Sequence, residues 1–294
     1  MSLLSKNDFI SGSLAGIMQV LSGQPFDLIK VKMQTLATKT TVLNSAKNIF
    51  NTEGIMGFYK GTLSPLTGIS FCVSIQFGAN EFAKRIAKEY YKTSQLGVIP
   101  LGSCGAFAGF CNSFVASPVE LVRIKLQAQK PGVNKFTGSF HVIQYLYSNY
   151  GLRGVYSGLI ITIMREAPGY FLYFGTYEVL MQKAEKSYGL RETVPLYKIS
   201  LYGALSGTAF WIGIFPIDVI KSRLQADTIK NPKYKSIGDC ANQIYAELGI
   251  NGFFKGLKPC LLRVPFANMA TFITFEKVNG FLKRRDQKSI SKKL

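Results

Sequence analysis

The stretch Pro25-Phe26-Asp27-Leu28-Ile29-Lys30-Val31-Lys32-Met33-Gln34 decides the fold. It returns as Pro118-Val119-Glu120-Leu121-Val122-Arg123-Ile124-Lys125-Leu126-Gln127 and as Pro216-Ile217-Asp218-Val219-Ile220-Lys221-Ser222-Arg223-Leu224-Gln225. From Pro25 to Pro118 is 93 residues, and from Pro118 to Pro216 is 98. Each copy places an acid two residues after the proline, a base five after and a glutamine nine after. Three copies at near-equal spacing read as an internally triplicated chain. The repeats are expected to cover 1–98, 99–194 and 195–294.

Upstream of each proline lies an apolar run with glycines four apart: Gly12/Gly16, Gly105/Gly109 and Gly203/Gly207. Glycines at i and i+4 share a helix face and let a second backbone approach. Proline inside such a helix removes a hydrogen bond and bends it. Beyond the bend, acid and base stand at i and i+3. Two arrangements fit: an ion pair within each helix, worth roughly a few tenths of a kcal/mol, or a ring in which each acid meets a neighbouring repeat's base. The triplicated order of acid, base and glutamine favours the ring.

The 294 residues are 47% hydrophobic, with mean hydropathy +0.15. That suits amphiphilic membrane helices around a polar interior. Thirty-five basic against sixteen acidic residues give a net charge of +19, which points to anionic lipid or nucleic acid. No zinc spacing or other nucleic-acid motif supports the second, so no nucleic-acid partner is expected. Cys72, Cys104, Cys111, Cys240 and Cys260 lack metal or redox spacing, and the one histidine, His141, cannot build a metal site alone. No metal or cofactor is expected. There is no nucleophile–base arrangement, so an enzyme is not expected either.

Six segments are long enough to span a bilayer, at about 9–36, 62–83, 100–127, 158–181, 196–224 and 257–281. Two spans per repeat return each repeat to its starting side. The expected fold is therefore an all-α membrane protein: six helices in three parallel repeats about a pseudo-threefold axis. More polar helical segments at about 42–52, 139–149 and 237–247 lie between the spans. They lead into three glycine-aromatic signs, Glu53-Gly54 to Tyr59-Lys60-Gly61, Tyr150-Gly151 to Tyr156-Ser157-Gly158 and Leu248-Gly249 to Phe254-Lys255-Gly256. Free N–H groups where the even spans begin, at Gly61, Gly158 and Gly256, suit a lipid phosphate; ordinary capping fits equally.

Counting from those glycines aligns the even spans. Seven residues on stand Gly68, Arg165 and Arg263, and eight on Ile69, Glu166 and Val264. Arg165, Glu166 and Arg263 lie about 10 Å into the membrane at ~1.5 Å per residue. Charges at that depth mark a substrate or ion path. The alternative is structural pairing among them, although adjacent residues point about 100° apart and pair poorly. Gly68 would leave room on the third helix. Twenty on stand Glu81, Glu178 and Glu276, with only Lys84 as a base at the matching offset; a single Glu276–Lys84 pair is expected there.

The triple P-x-[D/E]-x-x-[K/R]-x-[K/R] stretch, the three glycine-aromatic signs and the even-span acids resemble the mitochondrial carrier family across essentially the whole chain. The resemblance implies a six-helix monomeric barrel in the inner mitochondrial membrane, with both termini toward the intermembrane space and the short helices toward the matrix. It implies alternating access between two salt-bridge networks, cardiolipin at Gly61, Gly158 and Gly256, and a small-molecule substrate. The matrix pairs implied are Asp27–Arg123, Glu120–Lys221 and Asp218–Lys30, braced by Gln34, Gln127 and Gln225. The implied substrate contacts are Gly68, Ile69, Arg165, Glu166 and Arg263, with Cys72 beside the first of them, and the cytoplasmic gate is Glu81, Lys84, Glu178 and Glu276. Two departures stand out. Tyr150 and Ser157 replace an acid and a base in the second glycine-aromatic sign, and Met181 and Asn279 replace bases of the cytoplasmic network, which implies a stronger matrix gate.

Gln24 to Thr35, Arg165 to Phe171 and Phe215 to Arg223 resemble the ornithine/basic amino acid and carnitine/acylcarnitine branch. Ornithine-like members carry an acid near Cys72, and this chain has none. Two arginines suit a carboxylate, and Glu166 suits one ammonium. Trp211 offers either a cation–π face or core packing. The expected function is transport, by exchange, of a zwitterionic or cationic amino-acid-like metabolite. The alternative is a carrier-fold subunit of a larger membrane assembly, suggested by the reduced cytoplasmic network.

Overall fold

Each repeat folds as a long helix, a short helix and a second long helix. The computed structural model describes residues 6–35, 41–93, 96–129, 136–189 and 193–291. The first repeat holds α1 (Lys6–Thr35), α2 (Val42–Gly57) and α3 (Leu63–Tyr91). The second holds α4 (Val98–Gln127), α5 (Ser139–Val155) and α6 (Leu159–Tyr188). The third holds α7 (Leu196–Ala226), α8 (Ile237–Leu248), a 3-10 turn (Ile250–Phe254) and α9 (Leu257–Ser291). No strand occurs among the described residues.

The long helices run 29 to 35 residues, about 45 Å or more at ~1.5 Å per residue, and so outreach a ~30 Å hydrocarbon layer. The even ones extend past the apolar segments, to Tyr91, Tyr188 and Ser291. Their added turns each carry two lysines, Lys84 and Lys88, Lys183 and Lys186, Lys283 and Lys288, a good helix former that suits an aqueous continuation of the helix. Among the described residues α4 and α7 are the two helices apolar enough to read as spans from composition alone. Of the other long helices, α1 buries Lys30 and Lys32, and α6 buries Arg165, Glu166 and Glu178.

Left-handed glycines set the turns. The short helices break at Gly54, Gly151 and Gly249, with φ of 66°, 61° and 64°, and the even helices begin after Gly61, Gly158 and Gly256, with φ of 78°, 91° and 91°. A side chain there is strained, so the repeated glycines fix one backbone path three times. Each short helix then docks an aliphatic side chain onto the turn after the proline of its own repeat. Ile49 meets Leu28, Ile29 and Met33; Leu146 meets Leu121, Val122 and Leu126; Ile244 meets Phe215, Val219 and Ile220. These short helices mark one end of the bundle, the surface-helix end. The opposite, terminal end holds the starts of α1, α4 and α7.

Packing between long helices is unequal. The tightest pairs are α4 with α6, α1 with α9, α3 with α4 and α6 with α7, whereas α1 with α3 and α7 with α9 touch little. This corrects one expectation. A Cβ on Gly105 would fall 2.7 Å from the Tyr170 carbonyl oxygen, and one on Gly109 2.6 Å from that of Glu166. Those two glycines do bring α4 onto α6. Gly12, Gly16, Gly203 and Gly207 have nothing within 4 Å, because the seams on which they lie stand apart.

The polarity is inverted relative to a water-soluble bundle. Lys30, Lys221, Arg165, Glu166 and Asp218 are buried, while Phe71, Phe77, Ile160, Leu201 and Phe266 are exposed. Charge inside and broad apolar surface outside is what a bilayer selects.

Candidate functional site

The prolines bring the acids and bases of the three odd helices together near the surface-helix end. Arg123 Nη2 lies 2.7 Å from Asp27 Oδ2, Lys221 Nζ 2.6 Å from Glu120 Oε2, and Lys30 Nζ 2.8 Å from Asp218 Oδ2. Each pair joins two repeats, and together they close a triangle over α1, α4 and α7. The i to i+3 offset that suggested pairing within one helix instead sends acid and base to opposite neighbours.

The glutamines divide. Gln34 Nε2 donates to Asp218 Oδ2 at 2.9 Å. Gln127 and Gln225 reach no ion pair, contrary to the expected bracing: Gln127 Nε2 donates to the Lys60 carbonyl and Gln225 Nε2 to Thr162 Oγ1, both at 3.4 Å. The glycine that opens each even helix lies against the glutamine of the next repeat: Gly61 on Gln127, Gly158 on Gln225, Gly256 on Gln34. All three glutamines share that contact with the segment that opens an even helix; the Gln127 and Gln225 amides bond within it, whereas the Gln34 amide reaches Asp218.

A second triangle lies below the first. Lys32 Nζ donates to the Gln129 carbonyl at 2.8 Å, Lys125 to the Asp227 carbonyl, and Arg223 Nε to the Gln34 carbonyl at 3.0 Å. Each base therefore caps the C-terminal end of the next repeat's odd helix, where unpaired carbonyls and the helix dipole favour a cation. Lys32 also pairs with Glu53 at 3.1 Å, and Arg223 with Glu247 at 2.9 Å. The sequence reading missed this triangle. Its signal was the second base of each stretch, two residues after the first.

The deep charges of the even helices join the first triangle. Arg165 Nη2 donates to Glu120 Oε1 and Oε2 at 2.7 and 3.0 Å and also contacts Glu166 Oε1. The expectation that adjacent Arg165 and Glu166 pair poorly is thereby corrected. The long arginine stem and the glutamate both bend toward α4, where Glu120 and Asn112 stand, and Asn112 Nδ2 donates to Glu166 Oε2 at 3.1 Å. Arg263 Nη1 lies 2.9 and 2.8 Å from the two oxygens of Asp27.

Gly68 leaves no free room: a Cβ there would lie 2.7 Å from Val119 Cγ1, so this glycine seats α3 on α4. The side chain of Ile69 lies outside the described residues. Cys72 is half-buried. One turn beyond Glu166, the Tyr170 hydroxyl donates to Gln76 Oε1 at 2.9 Å, tying α6 to α3. Trp211 receives a cation, but from the protein itself, with Lys30 Nζ 4.2 Å from the ring centroid.

At the terminal end, Lys84 pairs with Glu81 of its own helix at 2.8 Å, and Glu81 is well exposed. The expected Glu276–Lys84 pair falls on Glu276, whose side chain, like that of Asn279, lies outside the described residues. Glu178 is buried and accepts from Gln182 Nε2 at 3.2 Å. Met181 is buried among Ala184 and Val194.

Between repeats two and three, the starts of α6 and α8 face a cavity of about 400 Å³ lined by Tyr156, Gly158, Leu159, Asp227, Ser236 and Ile237, among others.

The mitochondrial carrier protein family matches residues 4–91, 94–188 and 192–286. The chain is 42% identical over 293 residues to "Carrier protein YMC2, mitochondrial" of Saccharomyces cerevisiae, covering 94% of this chain and 88% of that one. It is 45% identical over 276 residues to "Mitochondrial glycine transporter YMC1" of the same yeast, covering 92% and 89%. It is 36% identical over 273 residues to "Mitochondrial basic amino acids transporter" of Homo sapiens, covering 91% and 88%.

Proposed function

The chain belongs to the mitochondrial carrier family, and we propose that it exchanges zwitterionic amino acids across the inner mitochondrial membrane by alternating access. In this reading both termini face the intermembrane space and the short helices face the matrix. The observation that carries it is the double use of two acids. Asp27 and Glu120 belong to the inter-repeat triangle, yet they also hold Arg263 and Arg165. A substrate carboxylate entering from the terminal end competes for those guanidinium groups, which bind carboxylates bidentately. Taking Arg263 from Asp27 and Arg165 from Glu120 weakens the triangle that closes the matrix side. The substrate ammonium then takes the place of Arg165 beside Glu166. Lys30, Arg123, Arg165, Lys221 and Arg263 face Asp27, Glu120, Glu166 and Asp218, one base more than acids, so an incoming carboxylate is electrostatically welcome.

The relatives' names, glycine and basic amino acids, share a carboxylate and an α-ammonium. A second cation on a dibasic substrate meets no acid at Cys72, so a small neutral amino acid fits best. For a carnitine-like quaternary ammonium, the Trp211 face is occupied by Lys30 in this state. The cavity at Gly158, where two helix N-termini converge, suits a lipid phosphate such as that of cardiolipin. The test is uptake into liposomes loaded with glycine, using labelled glycine, ornithine, lysine, arginine, carnitine and acylcarnitines. Exchange of amino acids in preference to carnitines is expected. Uptake of none would favour a structural subunit instead.

A further inference from the structure

We propose that Asn112 on α4 is a specificity-determining residue whose side-chain carbonyl accepts an N–H of the substrate ammonium beside Glu166. This rests on the amino-acid reading above and deepens it.

Asn112 is 3% exposed, next to the buried Ser113 in a mostly apolar stretch of α4. Its Nδ2 donates to Glu166 Oε2 at 3.1 Å. A carboxylate only accepts, so the amide must turn its NH2 to Glu166 and its carbonyl elsewhere. That carbonyl oxygen, Oδ1, is buried and has no hydrogen-bond partner among the described residues. Buried acceptors are rarely left so, and an orphan beside a functional carboxylate calls for an occupant. The backbone holds it there. Gly109, three residues earlier, brings α4 onto the Glu166 carbonyl, so Asn112 sits where the two helices are closest.

A primary ammonium carries three N–H donors. Glu166 supplies the opposite charge and accepts from one or two of them; Asn112 Oδ1 accepts from another. A trimethylated nitrogen carries the same charge with no donor. It would satisfy Glu166 in part but leave Oδ1 buried against methyl groups. Loss of a partner for a buried polar group is the kind of mismatch that discriminates strongly between substrates. Asn112 thereby selects amino acids over quaternary ammonium compounds of like charge, which Glu166 alone does not do.

The test is competition for labelled glycine uptake in glycine-loaded liposomes by glycine, N-methylglycine, N,N-dimethylglycine and N,N,N-trimethylglycine. Wild-type protein, Asn112→Leu and Asn112→Ala are compared. The ratio of inhibition constants between the last and first compounds does not depend on how much protein folds. In the wild type inhibition weakens along the series, with a ratio of roughly tenfold or more. In both variants the ratio falls at least about fivefold, mainly because glycine binds less well. Wild-type glycine uptake with an unchanged ratio in the variants overturns the assignment of Asn112 alone. Wild-type protein that moves no amino acid overturns the substrate reading and this inference with it.

Discussion

Arg263 of α9 and Arg123 of α4 bind one carboxylate, Asp27 of α1, at 2.8 and 2.7 Å. All three repeats meet at that side chain. The two arginines do different work in the account: Arg123 holds two repeats together, and Arg263 is released to the substrate.

Removing them should therefore separate affinity from rate. Arg263→Ala is expected to raise the KM for the amino acid about tenfold or more, the loss of one charge-assisted contact. Arg123→Ala should change the maximal exchange rate with much less effect on KM. Saturation curves in liposomes distinguish the two, and equal effects on KM would contradict the division.

Gly158 combines two constraints, a φ of 91° and a would-be Cβ 2.9 Å from the Gln225 side chain. Gly158→Ala should destabilise the detergent-solubilised protein by about 1–2 kcal/mol of backbone strain plus the steric conflict. Gly189 has a φ of 84° and open space, so Gly189→Ala should show the strain alone. Adding Gln225→Ala to Gly158→Ala should recover the steric part, a coupling that a double-mutant cycle by thermal unfolding reads directly.

Much of this arrangement was legible. Three prolines with acid, base and glutamine at fixed offsets imply three equivalent helices, and glycines at equal spacing imply three equivalent turns. The remainder depends on how tightly each pair of helices packs, which periodicity does not encode. Gly12 and Gly105 read alike in sequence, yet only Gly105 meets a backbone. Met181 marks an absent base in sequence but is a packed apolar residue in the fold. Asn112, a single amide in an apolar run, gave no repeat signal at all. The spacing puts Arg165 and Glu166 seven and eight residues after Gly158, but their reach across to Glu120 and Asn112 is a matter of rotamers.

Lys255, just before α9, links stability to pH. Burial, reinforced by the Arg223 guanidinium, pushes its ammonium down to about 8. Below that value the folded and unfolded chains both hold the proton, and the folded state bears the cost of the buried charge. Between about 8 and the ordinary lysine range the unfolded chain binds more protons, so stability rises with pH. Lys255→Met should flatten that rise in unfolding temperatures measured from pH 7 to 10. An unchanged pH profile would show that Lys255 is not the group responsible.

In the proposed mechanism Asp27 and the substrate carboxylate compete for Arg263. The most direct measurement is equilibrium binding of labelled glycine to wild-type and Asp27→Asn protein. Removing the competing charge leaves Arg263 available, and the dissociation constant is predicted to fall by about tenfold, the value of one charge-assisted hydrogen bond. Binding that is unchanged or weaker in Asp27→Asn would contradict the claim.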